Sequence, residues 1–355
     1  MRLCNNAFLF ALVAGAALAV PAQQPSHSSA PAQAPSLTVD RDPVAAPPNG
    51  HAAPAAPLRK KGRGYTLKRD VNEVVLNCTV LDGNRLVQGL KADDFKVFED
   101  GVKQKVISFQ HTDLPVSLGL VIDNSGSMYQ KRPAVDRAAV DLVRSSNPDD
   151  QTFVVNFSDE AFLDQDFTSS INKLRDALAH IDSRGGTALY DAVAASADHL
   201  VEQGTRPKQV LVLVTDGDDN ASTLNLEQTI RRVQDLSGPV IYSIGLLFGG
   251  DMSRAEARHA RRALELLSEE TGGIAFFPKS LSQVNEIAEE VARDIRSQYT
   301  IGYRSSKPMS IPGFRRIQVI AEAKGMGKLT VRTRTGYFPN VTVRGANQMA
   351  EAQAQ

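Results

Sequence analysis

The 355-residue chain has no tryptophan, two cysteines and only 6% aromatic residues, and its 40 basic and 40 acidic side chains cancel. Each scarcity excludes something. A balanced charge provides no general field for polyanions, and no basic block is interleaved with aromatics, so nucleic acid is not an expected partner. The short run Arg59-Lys60-Lys61-Gly62-Arg63 reads as a solvated linker. Cys4 precedes an apolar leader, which leaves Cys78 as the only thiol of the remainder. A lone thiol forms no internal disulfide, and Cys78, set in an alternating strand pattern, is expected as a small core residue. The histidines are scattered over different segments, and none belongs to a set with zinc-ligand spacing. The apolar run 7–20 falls short of the ~20 residues that a spanning helix needs.

That run follows Arg2 and ends in small residues at Ala17-Leu18-Ala19 and Val20-Pro21-Ala22, the pattern of a secretory signal over residues 1–22. It implies a periplasmic or extracellular protein, with membrane contact only through an uncleaved signal segment. Residues 23–67 are rich in Pro, Ala, Ser and Gln without a hydrophobic period and are expected as a disordered linker. Residues 339–355 are expected as a disordered tail.

Between these ends the chain changes character twice. Residues 71–80 read as a strand, Asp82-Gly83-Asn84 as a turn, 95–98 as a strand, Glu99-Asp100-Gly101 as a turn and 102–109 as one further strand. The segment 68–112 has too few strands to hold a core alone. From residue 113 strands at 116–122, 152–157, 209–214, 240–246 and 274–277 alternate with helical patterns at 133–145, 171–181, 188–203, 226–236, 254–270 and 281–296. Repeated strand and helix implies right-handed crossovers, and hence a doubly wound, mostly parallel α/β domain over 113–297. Residues 298–303, 316–322 and 329–337 return to short alternating strands. Segment 298–338 is therefore expected to complete what 68–112 begins, an all-β, sandwich-like domain formed by both flanks with the α/β domain inserted.

The chemistry concentrates where two apolar strands stop. Residues 116–122 are unbroken enough to be buried on both faces, and they end at Asp123-Asn124-Ser125-Gly126-Ser127. In an open α/β sheet the functional crevice lies beyond the carboxyl ends of the strands, where Asp123, Ser125 and Ser127 emerge. Val210-Leu211-Val212-Leu213-Val214 likewise ends in Thr215-Asp216-Gly217, and Thr187 follows Gly185-Gly186 in a loop. Asp123, Ser125, Ser127, Thr187 and Asp216 converge if the two strands are near each other. Oxygen donors of this kind suit a hard divalent cation, and hydroxyls in place of carboxylates leave the ion ready to accept an outside carboxylate. Asp218 and Asp219 read as solvent-facing loop carboxylates, and Asp191 as a cap or supporting acceptor.

In this pattern Asp123-x-Ser125-x-Ser127, Thr187 and Asp216 resemble the metal-ion-dependent adhesion site of von Willebrand factor type A (vWA) domains. The resemblance implies that the two serines and the threonine contact Mg²⁺, or Mn²⁺ or Ca²⁺ in its place, and that the two aspartates act largely through water. A narrower resemblance, carried by FKVFEDG at 95–101, GTALYDA at 186–192, EETGG at 269–273 and QYTIGY at 298–303, is to secreted VWFA-related proteins of the acidobacterial type. The function implied is a metal-dependent protein-binding module, whose cation bridges to an Asp or Glu presented by a protein ligand. A metal-dependent hydrolase is the alternative. Against it, Ser125 stands where a phosphate-accepting aspartate would have its second carboxylate, and no G-x-S-x-G elbow surrounds either serine. Catalytic residues are not expected. A metal-free structural scaffold is the remaining alternative.

Overall fold

The computed structural model describes residues 37, 73–179, 183–236, 238–248 and 252–339. The expected signal segment, the tail beyond residue 339 and all of the expected linker except Leu37 lie outside the described residues. The chain begins with β1 (Glu73–Asp82), β2 (Arg85–Leu86), β3 (Phe95–Glu99), β4 (Val102–Gln104) and β5 (Val106–Gln110). It continues through β6 (Val116–Asp123), α1 (Arg132–Arg144), β7 (Gln151–Phe157), β8 (Ala161–Thr168), α2 (Ile171–Leu178) and α3 (Leu189–Gln203). Then come β9 (Lys208–Thr215), α4 (Leu226–Leu236), β10 (Val240–Gly245), α5 (Arg254–Thr271), β11 (Ala275–Phe276) and α6 (Val284–Ser297). It closes with β12 (Tyr299–Arg304), β13 (Arg315–Ala321), β14 (Thr330–Arg332) and β15 (Gly336–Tyr337). Among the described residues no helix is long and apolar enough to cross a membrane.

β6 is buried at every position, as its unbroken apolar run requires. It lies inside a six-stranded sheet of order β11-β10-β9-β6-β7-β8, parallel throughout except for the antiparallel edge strand β8. The period of two along each strand divides the apolar side chains between two cores. Leu118, Leu120 and Ile122 pack with α1, α2 and α6, while Val121, Phe153 and Leu213 pack with α3, α4 and α5. Leu37, within the stretch expected as disordered, packs against the second of these cores. At Gly119 a Cβ would fall 2.4 Å from the Phe153 ring and 2.5 Å from Leu211, so the aromatic layer closes on a bare backbone.

Three expectations are corrected. β8 has no counterpart in the sequence reading, because its inward-facing positions include the buried Asp164, which accepts a hydrogen bond from Asn156 at 2.5 Å across the β7–β8 pair. A buried polar pair of this kind destroys the apolar alternation that marks a strand. The expected strand 102–109 is two strands, since β4 pairs with β3 and β5 pairs with β12. The strand expected at 329–337 likewise divides, β14 joining β1 and β15 joining β13.

Strands from both flanks pair with one another. One antiparallel sheet runs β14-β1-β12-β5 with β2 on β1, and the other runs β15-β13-β3-β4. They share a core that includes Leu76, Cys78, Val97, Ile301 and Val319. Cys78 is fully buried, and burial pushes its thiol up to about 12, as befits an inert core residue. Inside this core Glu99 accepts from the Tyr303 hydroxyl at 2.7 Å, the Tyr337 hydroxyl at 3.0 Å and Arg315 at 3.3 Å.

The last helix of the α/β segment meets these strands through buried polar contacts. Asp294 of α6 accepts from Tyr242 of β10 at 2.5 Å, from Arg332 of β14 at 2.6 Å and from Thr79 of β1 at 3.4 Å. Lys208 of β9 donates to the Ile295 carbonyl at 2.8 Å, and Arg296 reaches Asp113 at 2.8 Å and also Asp150. Truncating Asp294 to alanine strands a buried tyrosine hydroxyl and a guanidinium. We expect a loss of about 3–5 kcal/mol, the range for a broken buried pair, in urea unfolding; a loss below about 1 kcal/mol would show that Asp294 does not hold the seam.

Lys208 yields a pH prediction. Burial, and then repulsion from Arg296, lower its ammonium to about 8 from 10.5, against the opposing pull of Asp113, Asp294 and Asp150. The unfolded chain thus binds this proton more tightly than the folded protein, so stability climbs as pH rises from about 8 to 10.5. Lys208→Met is expected to abolish that climb, on the order of 3 kcal/mol, when unfolding midpoints of the two proteins are compared across the window. Parallel pH profiles would contradict it.

Candidate functional site

β6 and β9 are adjacent and parallel, with Ile122 opposite Val214, so Asp123 and Thr215 emerge side by side at the carboxyl edge. The chain leaves β6 for β7 on one flank and returns as β9 on the other. Loops diverge at such a reversal and open a crevice. Asp123 is wholly buried, its Oδ1 accepting from the Ser125 N–H at 2.8 Å and its Oδ2 from the Thr215 hydroxyl at 2.6 Å. The Ser125 and Ser127 hydroxyls lie 3.2 Å apart, and Ser127 donates to Asp216 Oδ1 at 2.7 Å. A single 3₁₀ turn at Gly126–Met128, anchored by the fully buried Met128, sets that spacing.

Thr187 arrives from the far side. Gly185 has φ +81°, and a Cβ there would sit 2.2 Å from Asp159, whose other oxygen accepts from the Gly186 N–H at 2.7 Å. Only glycine allows this close left-handed turn. Asn220 then clamps Thr187, its side chain accepting from the Thr187 N–H at 2.9 Å and its own N–H donating to the Thr187 carbonyl at 3.1 Å. Thr187, Ser127 and Asp216 line one open crevice of about 330 Å³, together with Lys131, Phe248 and Met252. All five residues singled out in the sequence therefore lie at this sheet edge, three facing the crevice and Asp123 and Ser125 buried behind hydrogen bonds.

Burial pushes the Asp123 carboxyl up to about 6, and the hydrogen bonds from Thr215 and Ser125 hold it below what burial alone would give. Two cations lie at the start of α1, and one of them, Lys131, meets a site carboxylate, while Arg132 pairs with Asp136 at 3.2 Å. Lys131 Nζ lies 2.5 Å from Asp216 Oδ2, and the wholly buried Arg132 donates to the Leu178 carbonyl at 2.9 Å and the Asp123 carbonyl at 3.5 Å. Sequence reasoning missed both. The signal was present, since two basic residues at a helix start oppose the macrodipole and call for a local partner. Asp219, expected to face solvent, instead accepts from Ser222 at 2.5 Å and from the Tyr190 N–H at 3.3 Å. Asp218 pairs with His259 at 2.7 Å. Asp191 accepts from the Thr223 and Leu224 N–H groups at 2.8 and 2.9 Å, the supporting role its position suggested.

Residues 118–218, which include all five site residues, match the von Willebrand factor type A domain family. The chain carries a vWA domain. No curated protein matches it. Similar solved structures include the PilB minor pilin from Streptococcus sanguinis, at 14% identity over 52% of this chain and 62% of that one, TM-score 0.41. The match thus spans less than two thirds of that pilin. Others are the vWF domain of the type V pili tip protein Mfa5 from Porphyromonas gingivalis, at 12% identity over 52% and 96%, TM-score 0.42, and a von Willebrand factor type A protein from Catenulispora acidiphila, at 15% over 75% and 80%, TM-score 0.44.

The donor set of this vWA domain is all oxygen, two carboxylates with three hydroxyls. Among the described residues no group of three or more His, Cys, Asp or Glu side chains is placed to hold a metal. The geometry depends on Thr215, whose hydroxyl donates to Asp123 and accepts from the Gly217 N–H at 3.2 Å. Thr215→Val keeps the shape and removes the donor, and we expect it to cost about 1–3 kcal/mol while Thr215→Ser costs less. Equal denaturant midpoints for the Val and Ser variants would show that another contact holds Asp123.

Proposed function

We propose that this protein is a metal-dependent protein-binding module acting in the periplasm or outside the cell. The observation that carries the proposal is the meeting of Asp123, Ser125, Ser127, Thr187 and Asp216 at one sheet edge. These oxygen donors fit a hard cation such as Mg²⁺, Mn²⁺ or Ca²⁺, with the serine and threonine hydroxyls and the two aspartates as its holders. When bound, the cation supplies an electron-poor coordination position for the carboxylate of an Asp or Glu on a partner protein. Leu247, Phe248 and Met252 around the crevice add apolar surface for such a partner. In this reading residues 113–297 are a doubly wound vWA domain inserted into a sandwich-like domain formed by both flanks. The interaction role agrees with the vWA domain match, and the secretion pattern of residues 1–22 supplies the address.

The test is thermal unfolding in EDTA and across Mg²⁺, Mn²⁺ and Ca²⁺ titrations, beside Asp123→Ala. A ligand that binds only the native state adds about 2.7 kcal/mol at a hundredfold excess over its dissociation constant, so a saturable rise in Tm is expected, absent in the variant. An equal rise in both proteins, or none with any of the three ions, would remove the metal site from the proposal.

A further inference from the structure

Asp216 is the one site carboxylate that faces the crevice, yet its side chain is 0% exposed. Ser127 takes one of its oxygens, and the Lys131 ammonium covers the other at 2.5 Å. Lys131 stands at the mouth of the crevice, immediately before α1, where a lysine ordinarily extends into water. Here it folds inward, 13% exposed, with its ammonium 5.8 Å from the centre of the Phe248 ring. Ordering a four-carbon stem costs side-chain entropy, so the inward pose requires an attraction, and the Asp216 carboxylate and the aromatic face are the groups that supply it.

We propose that Lys131 is a built-in counter-ion that competes with the divalent cation for Asp216, so that the site loads only as the ammonium is displaced. The inference rests on the metal-site reading above. An ammonium and a divalent ion at one carboxylate repel, and at the Asp216 side chain, itself shielded from water, that repulsion is weakly screened. The neighbouring cation behaves differently. Arg132 is wholly enclosed and fixed by the Leu178 and Asp123 carbonyls, whereas Lys131 lines an open crevice and its flexible stem can carry the charge to the rim. Lys131 thereby raises the divalent concentration at which the site fills, and in the unfilled state it neutralises a carboxylate that would otherwise lie uncompensated.

The test compares the full chain with Lys131→Met, which keeps the stem and removes the charge, by calorimetric titration with Mn²⁺ and by melting in EDTA. The Mn²⁺ dissociation constant is expected to tighten about tenfold or more. In EDTA the variant is expected to melt lower than the wild type, and its gain in Tm on saturation with Mn²⁺ to be larger. Equal or weaker Mn²⁺ binding by the folded variant would overturn the competition while leaving the metal site standing. Absence of Mn²⁺ binding by both proteins would remove the metal site and this inference together. If Lys131→Met does not fold, Lys131→Gln gives the same comparison.

Discussion

The hydrogen bond from Thr215 to Asp123 joins the last residues of two neighbouring parallel strands, and the crevice is arranged around it. A carboxylate at the end of a strand buried over its whole length is costly unless its oxygens are engaged. Asp123 meets that demand with one partner from its own turn and one from the adjacent strand. The first bond bends the chain after β6, which sets the Ser125 hydroxyl beside that of Ser127 and lets Ser127 reach Asp216. The second locks the register of β6 on β9 at the point where the crevice opens. Buried carboxylate, turn and strand register are thus a single constraint seen from three sides.

Buried charge also joins the α/β segment to the flanking strands. Asp294, Arg332, Tyr242 and Lys208 meet where α6 passes into β12, and their contacts lie in the final turns of that helix. The N-terminal part of α6 packs instead through Val284, Ala288 and Val291 on the shared core. The helix is therefore fixed by directional bonds at one end and by non-directional apolar contact along the rest. A sequence pattern reports the second kind of contact well, because period 3.6 repeats along the helix, and the first kind hardly at all.

The same division explains what was legible in the sequence. Uninterrupted apolar runs located β6 and β9 to within a residue, and turn chemistry at Glu99-Asp100-Gly101 marked the β3–β4 hairpin, where Asp100 and Gly101 take φ values of 48° and 78°. That Asp123, Ser125, Ser127 and Asp216 gather at one edge was legible because they follow the ends of two buried strands, whereas Thr187 was marked only by the Gly185-Gly186 loop before it. β8 was not legible, since Asp164 and Asn156 hydrogen-bond to each other inside the fold and leave no apolar period. The division of 102–109 into β4 and β5 escaped because a strand's composition does not reveal which of two sheets each half joins. The partners of Lys131 and Asn220 were illegible for a different reason: each acts through a residue distant in sequence, Asp216 and Thr187 respectively, which only the folded crevice brings near.

Charge balance at the crevice gives this arrangement its sense. Asp123 and Asp216, when ionised, outweigh the single ammonium of Lys131, so the local group carries a negative excess that attracts a cation. A divalent ion that displaces the ammonium cancels the two carboxylates without overshooting, so its open coordination position meets no net negative charge that would repel an incoming carboxylate. With a third carboxylate in place of Ser125 or Ser127, the loaded site would be net negative and would repel an outside anion. Hydroxyls offer lone pairs without charge, and their use here keeps the number of oxygen donors up while keeping the charge down. A crevice built to hold an ion for its own sake would favour carboxylates. One that passes an ion's charge on to a partner, as proposed for this edge, favours serines and threonine.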